Sequence, residues 1–218
     1  MDLTAKKYLK ERLSGELPGF RAHAKMLPPG RRLKTSAEEL SQVKQSSVLV
    51  LLFPCCGELC TCLTQRPVTM KHHPGQISFP GGRVEDDDSS AEMTALREAR
   101  EEVGLDSASV EVLGKLSDLY VEVSKFSIQP YLAWVDQKPS FVINSDEVEE
   151  LILFPVSQFV VNEIVGETEI QTFTGLLKVK YYPLENKCVW GATAMILSEL
   201  IEILKESHSI PVHSTTTI

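Results

Sequence analysis

The sequence predicts a single α/β domain, and three features support that prediction. Residues 48–53 form a continuous apolar run of strand length, and residues 59–64 alternate in polarity as the return strand of a hairpin would. Further along, Ala95, Ala99 and Val103 recur every four residues, as on the buried face of a helix. With 218 residues, 43% of them hydrophobic and 24% charged, the chain is long enough to bury a sizeable core.

The chain divides into three predicted parts. Residues 1–46 form a helical and irregular arm packed on the domain, because leucines among charged residues indicate a short helix that Pro-Gly pairs then interrupt. Residues 47–206 form the domain itself, and residues 207–218 are a polar tail. Within the domain, the remaining elements are two strands, a strand pair and a C-terminal helix, predicted near 110–116, 127–135, 173–182 and 189–205.

Composition and charge exclude several classes of partner. The net charge of −8 argues against a nucleic-acid backbone, since such sites are usually basic. It does not argue against a phosphate substrate if metal ions supply positive charge locally. We see no long apolar run for a membrane span and no apolar N-terminal signal segment, so a cytoplasmic protein is expected. The sequence is compatible with a homodimer and does not specify one.

The five cysteines give no disulfide framework, because their number is odd and four of them cluster in one short stretch. These four are Cys55, Cys56, Cys60 and Cys62. Their spacing matches no standard zinc knuckle, and the adjacent pair would point to opposite faces of an extended strand. Of the two interpretations, a metal site or reduced thiols on a hairpin, we favour reduced thiols and do not expect zinc.

The central helix has signals at both of its ends. Ser89 and Glu92 make a capping box, which predicts a start near Ser90. Gly104 follows the last periodic residue and is a natural C-terminal stop. The helix follows directly on a Phe-Pro-Gly-Gly segment whose paired glycines allow close approach of the backbone to a phosphate or a metal.

Three glutamates on this helix are the candidate metal ligands. Glu98, Glu101 and Glu102 lie at i, i+3 and i+4, so their like charges repel on one face. A hard divalent cation would resolve this conflict, because Mg²⁺ prefers carboxylate oxygens, waters and phosphates. The alternative is a solvated helix face on which Arg97 and Glu101 form an ordinary ion pair.

Residues 97–105, Arg-Glu-Ala-Arg-Glu-Glu-Val-Gly-Leu, resemble the second half of the Nudix box at every fixed position. The first half departs from the box, because the spacing from Gly82 to Arg97 is one residue longer than the general pattern. The position six after Gly82 is Asp88, and counting back from Arg97 leads to Ser89. The first glutamate of the box is therefore absent.

The longer spacing resembles the coenzyme A diphosphatase subgroup of the Nudix hydrolases. A second signature of the same subgroup is similar to residues 62–82, where Arg66, His73 and the run Gly-Gln-Ile-Ser-Phe-Pro-Gly-Gly are retained. Three positions differ from that signature: Cys62, Pro67 and Met70. Two signatures in register are more specific than the box alone.

The resemblance implies a Nudix α/β/α sandwich with a mixed β-sheet. It further implies metal-dependent hydrolysis of the diphosphate bond of coenzyme A or acyl-CoA to 3′,5′-ADP and 4′-phosphopantetheine, with Mg²⁺ or Mn²⁺ as cofactor. The implied catalytic residues are Arg97, Glu98, Glu101, Glu102 and Glu147, of which Glu98, Glu101 and Glu102 would bind the metal. The implied substrate-binding residues are Arg66, His73, Gly81 and Gly82.

Several roles stay open at this level. Glu147 could be a general base or an extra metal ligand, or an acid favoured at a helix N-terminus by the helix dipole. His73 could line the cleft or be a structural, hydrogen-bonded histidine, whereas Arg97 would anchor the glutamates. Two other functions compete: hydrolysis of ADP-ribose or another nucleoside diphosphate derivative, and a Nudix-like binding module without turnover.

Overall fold

A computed structural model describes residues 3–33, 43–70, 74–161, 163–172 and 175–207. The helices are α1 (Leu3–Leu13), α2 (Gly19–His23), α3 (Ala91–Val103), α4 (Ser157–Val160) and α5 (Gly191–Lys205), and a 3₁₀ turn spans Ser107–Ser109. The strands are β1 (Lys44–Cys55), β2 (Glu58–Gln65), β3 (Ile77–Ser78), β4 (Gly81–Arg83), β5 (Glu111–Lys115), β6 (Leu119–Val121), β7 (Phe126–Trp134), β8 (Glu150–Pro155), β9 (Gly166–Thr172), β10 (Gly175–Leu184) and β11 (Lys187–Trp190).

The main sheet is mixed and is built around β1. Strand β1 pairs in parallel with β7 and antiparallel with both β2 and β4. On the β7 side, β5 and β6 add antiparallel pairs, and on the β2 side, β3 and β8 do the same. A second sheet of three antiparallel strands has the order β11-β10-β9. The predicted α/β class with a mixed sheet is therefore observed.

Helices cover both faces of the main sheet because successive β1 side chains alternate between two apolar cores. Val50 and Leu52 belong to the core that α5 closes. Leu49 and Leu51 belong to the core that α3 closes with its predicted apolar stripe of Ala95, Ala99 and Val103. These layers form the expected α/β/α sandwich. A strand buried on both faces has to be apolar throughout, which explains the unbroken run that predicted β1.

The arm packs on the domain through both of its helices, and α2 is fixed by a buried carboxylate. Glu199, on α5, is fully buried and accepts hydrogen bonds from the Gly19 N–H (3.0 Å) and the Ser117 hydroxyl (2.6 Å). Its second oxygen accepts from the Ser117 N–H (3.1 Å) and lies 3.2 Å from His23 Nε2. We call these four residues the Glu199 cluster. It joins α2, the segment after β5 and α5.

Some predicted boundaries shift. Strand β1 begins at Lys44, within the segment predicted as arm, and the division of the chain at residue 47 stays a prediction. The strand pair predicted near 173–182 consists of β9, which precedes that region, and β10, which begins at Gly175. Among the residues described, none of the helices has the length and apolar character needed to cross a membrane.

Candidate active site

Helix α3 carries the acidic residues of the site, and its two ends fix their position. The Ser90 hydroxyl caps the N-terminus by accepting from the Met93 N–H at 3.2 Å, so the cap is Ser90 rather than the predicted Ser89. At the other end, Gly104 takes the left-handed conformation with φ 66°, as its position after the last periodic residue predicts. Because the alanine stripe is buried against β1, the neighbouring face of α3 turns toward β4.

Three carboxylates meet on that face. One oxygen each of Glu98, Glu102 and Glu147 lies within 4.8 Å of the other two, and we call these three residues the carboxylate group. Glu102 is buried with 2% of its surface exposed, whereas Glu98 and Glu147 are half-buried. The group is thus reachable from solvent on one side and backed by protein on the other.

Glu147 comes from a distant segment that is tied to the end of α3. The Val142 N–H donates to the Val103 carbonyl at 2.9 Å, and the Asn144 N–H donates to the Glu102 carbonyl at 3.0 Å. The Asn144 carbonyl in turn accepts from the N–H of Glu147 at 3.0 Å. This segment is a turn that leads into β8, so the alternative interpretation of Glu147 as an acid at a helix N-terminus is wrong.

The two glycines of β4 bring the backbone against the carboxylate group. The Gly81 N–H donates to Glu102 Oε2 at 3.2 Å. A Cβ atom at Gly82 would overlap the Glu98 carboxylate, and one at Gly81 would overlap backbone atoms of Ser47 and Val48. Gly81 also has φ +156°, at the edge of the range that side chains other than glycine rarely adopt.

Arg66 follows directly on β2 and reaches the same place. Its Nη1 lies 3.7 Å from Glu102 Oε1, and 26% of its side chain is exposed. Its Nε is buried and has no hydrogen-bond partner among the described residues. A buried donor without a partner costs free energy, so the guanidinium retains capacity for an anionic ligand.

Burial dominates the electrostatics of the carboxylate group. It raises the pKa of Glu102 to about 8, against the lowering effect of the Gly81 N–H, and the nearby Glu98 carboxylate raises it further. Burial also raises the pKa of Glu98, although Arg97 opposes the shift. A divalent cation bound by these carboxylates would offset the burial and the like charge that raise the pKa values of Glu98 and Glu102. Their oxygens are the ligands that Mg²⁺ prefers, so the residues present fit a divalent cation.

Arg97 holds the outer side of the site through Asp88, a residue that was not among the predicted site residues. Its Nε and Nη2 donate to the two oxygens of Asp88, each at 3.0 Å. The same carboxylate accepts from the Thr94 hydroxyl at 2.8 Å and from the Glu85 N–H at 2.9 Å. The Arg97 Nη1 lies 3.1 Å from Glu98 Oε1. Asp88 thereby anchors the arginine that contacts the carboxylate group.

The signal for Asp88 was present in the sequence. Asp88 lies six residues after Gly82, where the general box has its first glutamate. The extra residue of the longer spacing falls after Asp88, so the acidic position is kept with a shorter side chain. Counting from Arg97 had led to Ser89, which is exposed.

Two predicted site residues lie elsewhere. Glu101 is outside the carboxylate group: it is 44% exposed, and its carboxylate accepts from Arg97 Nη1 at 3.0 Å. Its role as a metal ligand stays a prediction. His73 lies outside the described residues, so its role also stays a prediction.

The fold and the site together define a class: a mixed α/β domain with acidic residues on a helix that follows a glycine turn. A family model described as the NUDIX domain matches residues 43–173. The protein named "Uncharacterized Nudix hydrolase NudL" from Pectobacterium atrosepticum is 33% identical over 169 residues, which cover 78% of this chain and 87% of the relative. The chain therefore belongs to the Nudix hydrolase family, and it is an enzyme that acts on a diphosphate substrate.

Other known proteins are similar as well. A protein of the same name from Yersinia pestis is 31% identical over 176 residues, which cover 81% of this chain and 88% of the relative. Among solved structures, the Nudix hydrolase RenU from M. smegmatis has a TM-score of 0.49 at 17% identity, over 74% of this chain and 85% of that one. The MutT protein from Methanosarcina mazei Go1 has a TM-score of 0.49 at 14% identity, and the match covers 76% of this chain and 96% of that one.

Proposed function

We propose that this chain hydrolyses the diphosphate bond of coenzyme A or an acyl-CoA and releases 3′,5′-ADP and the 4′-phosphopantetheine half. The observation that carries the proposal is the carboxylate group beside Gly82 and Arg66. Glu98 and Glu102 come from one of the two signatures that resemble the coenzyme A diphosphatase subgroup, and Arg66 and Gly82 come from the other. We expect the reaction to take place in the cytoplasm, on a free small-molecule substrate.

Glu98, Glu102 and Glu147 would hold the divalent cation, Mg²⁺ or Mn²⁺. Such a cation neutralises phosphate charge and lowers the pKa of a bound water. Glu101 is a further candidate ligand from the sequence, although its carboxylate lies outside the carboxylate group. The role of Arg97, held by Asp88, is to keep Glu98 oriented toward the group.

Arg66 would bind the substrate phosphates. Its forked guanidinium presents donors in a plane that suits two phosphate oxygens. The Nε–H that lacks a partner among the described residues would gain one when the anion binds. Gly81 and Gly82 would leave room for the phosphates and the carboxylates at the same point.

One carboxylate must accept the proton of the attacking water. Glu147 and Glu102 are the two candidates that the geometry favours, because both lie in the carboxylate group and neither is paired with Arg97.

ADP-ribose is the second candidate substrate, since the carboxylate group acts on the diphosphate and is indifferent to what flanks it. The test is hydrolysis of coenzyme A, acetyl-CoA and ADP-ribose at equal concentration with Mg²⁺ or Mn²⁺. We expect release of 3′,5′-ADP and a higher kcat/KM for the two coenzyme A substrates. A higher kcat/KM for ADP-ribose would overturn coenzyme A as the proposed substrate but would leave the proposed reaction, diphosphate hydrolysis, unchanged. No turnover of any of the three would overturn the proposal and favour a different diphosphate substrate.

A further inference from the structure

Two adjacent cysteines at the β1–β2 turn face each other. Cys55 ends β1, and Cys56 takes the left-handed conformation with φ 52°, followed by Gly57 with φ 83°. The turn closes where Cys55 pairs with Glu58. In an extended strand the two side chains would point to opposite faces, but the left-handed residue brings them together. Their Sγ atoms are 3.6 Å apart.

The pair is accessible, whereas the other two cysteines of the cluster are not. Cys56 is exposed and Cys55 is half-buried. Cys60 and Cys62 are buried in the core that α3 closes, and burial raises the pKa of each thiol to about 12. The Cys60 thiol also donates to the Cys55 carbonyl at 3.7 Å. Both buried thiols therefore stay protonated and outside the pair.

The separation of the two sulfurs is that of two thiols in contact, and it also suits a shared cation. A disulfide needs its sulfurs about 2.05 Å apart, so the pair as it stands is too far apart for that bond. Two thiolates on one tetrahedral ion, each at about 2.3 Å, lie about 3.8 Å apart, close to the observed distance. We propose that Cys55 and Cys56 form a two-thiolate site for a soft cation of the Zn²⁺ class, with its remaining positions open to solvent.

Soft ions would bind at this cysteine pair, and hard ions would bind at the carboxylate group. Thiolates select soft cations, whereas carboxylate oxygens select Mg²⁺. The turn lies at one end of β2 and Arg66 follows the other end, so eight residues of strand, about 25 Å, separate the two places. Occupancy of the thiol pair is thus independent of the proposed hydrolysis.

Charged neighbours and protons modulate the site. The Glu58 carboxylate favours a cation near Cys56, and the Lys138 ammonium group opposes it. The hydrogen bond with Cys55 raises the pKa of the Cys56 thiol, and a bound cation must displace the protons of both thiols. Affinity should therefore increase with pH.

The test is titration of the full chain with Cd²⁺ in the presence of excess Mg²⁺, followed by the thiolate-to-metal charge-transfer absorption in the ultraviolet. We expect one equivalent of Cd²⁺ per chain for the unsubstituted protein. The matched control is Cys188→Ser, which removes a half-buried cysteine on β11 and leaves the pair intact. It should bind Cd²⁺ like the unsubstituted protein.

Cys55→Ser and Cys56→Ser should each lose the absorption band and bind Cd²⁺ at least tenfold more weakly, while retaining Mg²⁺-dependent hydrolysis. Two variants keep the test valid if one of them fails to fold. Retention of the band in both variants would assign it to other thiols and overturn the site. Absence of the band in the unsubstituted protein would overturn it as well.

Discussion

Asp88 acts on the proposed chemistry without touching the carboxylate group. Its two oxygens hold Arg97, and Arg97 contacts Glu98. The Arg97 guanidinium holds the pKa of Asp88 well below its usual range, so the pair stays charged at any working pH. At the residue scale, an indirect contact of this kind sets the orientation of a ligand rather than its charge.

Replacing Asp88 with Asn should therefore lower metal affinity or kcat, by about 10- to 100-fold, because Arg97 loses its charged anchor. Steady-state kinetics at varied Mg²⁺ measures this loss. The control is Asp87→Asn, an exposed neighbour. Equal kinetics for the two variants would remove Asp88 from the site.

Gly81 and Gly82 are adjacent but should respond differently to alanine. A Cβ at Gly82 meets the end of the flexible Glu98 side chain, so Gly82→Ala should fold and lose activity. A Cβ at Gly81 meets backbone of β1 at a left-handed φ, so Gly81→Ala should lose about 1–3 kcal/mol of stability. Urea unfolding and hydrolysis assays on both variants separate the two effects. An active Gly82→Ala variant would contradict the close packing of Gly82 on Glu98.

How much of the site could be predicted from sequence depends on how local each contact is. Glu98 and Glu102 follow from helical spacing, because the positions i and i+4 share one face. Glu101 shows the limit of that argument: its spacing is equally good, yet its side chain is 44% exposed and lies outside the carboxylate group. The prediction of Glu147 rests on the family resemblance alone, because hydrogen bonds to the end of α3 bring this residue in from a distant segment.

At the element scale, α5 is held in the fold by its apolar face and by the buried carboxylate of Glu199. Burial alone would raise the pKa of Glu199, but hydrogen bonds from His23, Ser117 and Gly19 outweigh it and lower the pKa. The sequence predicts a C-terminal helix near 189–205, and the structure has it at Gly191–Lys205. Nothing local in the sequence predicts the partners of Glu199, because they come from α2 and from the segment after β5.

Glu199→Gln should destabilise the protein by about 1–3 kcal/mol at neutral pH, because buried donors lose their charged acceptor. The lowered pKa means that this stability is present above the unfolded pKa of about 4.3 and is lost as the pH falls through the folded value. Between pH 7 and pH 3, urea unfolding should therefore show a smaller loss of stability for the variant than for the unsubstituted protein.

The control for this prediction is Glu202→Gln on the same helix, whose carboxylate is paired near the surface with Lys25. It should cost less than about 1 kcal/mol. An equal effect of the two substitutions would show that the Glu199 cluster does not hold α2 to α5.

At the scale of the whole molecule, hydrophobic patterns predict which elements form the layers of the sandwich. They do not predict how the strands pair within the sheets. The apolar run of β1 and the alanine stripe of α3 predict buried elements, and both are buried. The parallel pairing of β1 with β7 and the second sheet depend on contacts between distant segments. Periodicity carries no information about such pairings, and the strand pair predicted near 173–182 therefore lacked the position of β9, which precedes that region.

Mg²⁺ should stabilise the whole molecule, because it binds the folded chain and not the unfolded one. At 100 times its Kd, a ligand of this kind adds about 2.7 kcal/mol to the free energy of unfolding. For a chain of this size, that raises Tm by about 5–10 °C. Thermal unfolding with Mg²⁺ or with a chelator measures the difference. No shift at saturating Mg²⁺ would contradict a metal site in the folded protein.

The same experiment has a pH dependence with a defined sign. In the metal-free protein burial raises the pKa of Glu102 to about 8, against about 4.3 in the unfolded chain. The contribution of this carboxyl to the free energy of unfolding is fully present below the unfolded pKa. It is lost as the pH rises toward 8. The gain in Tm with Mg²⁺ should therefore increase over that range, whereas Glu102→Gln should show neither trend.

The most direct single measurement is Mg²⁺-dependent release of 3′,5′-ADP from coenzyme A by Glu102→Gln, compared with Glu92→Gln on the same helix. Glu92 lies in the first turn of α3, outside the carboxylate group. We predict that Glu102→Gln folds and loses turnover, because the buried ligand is gone, while Glu92→Gln keeps it. Full turnover by Glu102→Gln would contradict the carboxylate group as the metal site of this hydrolase.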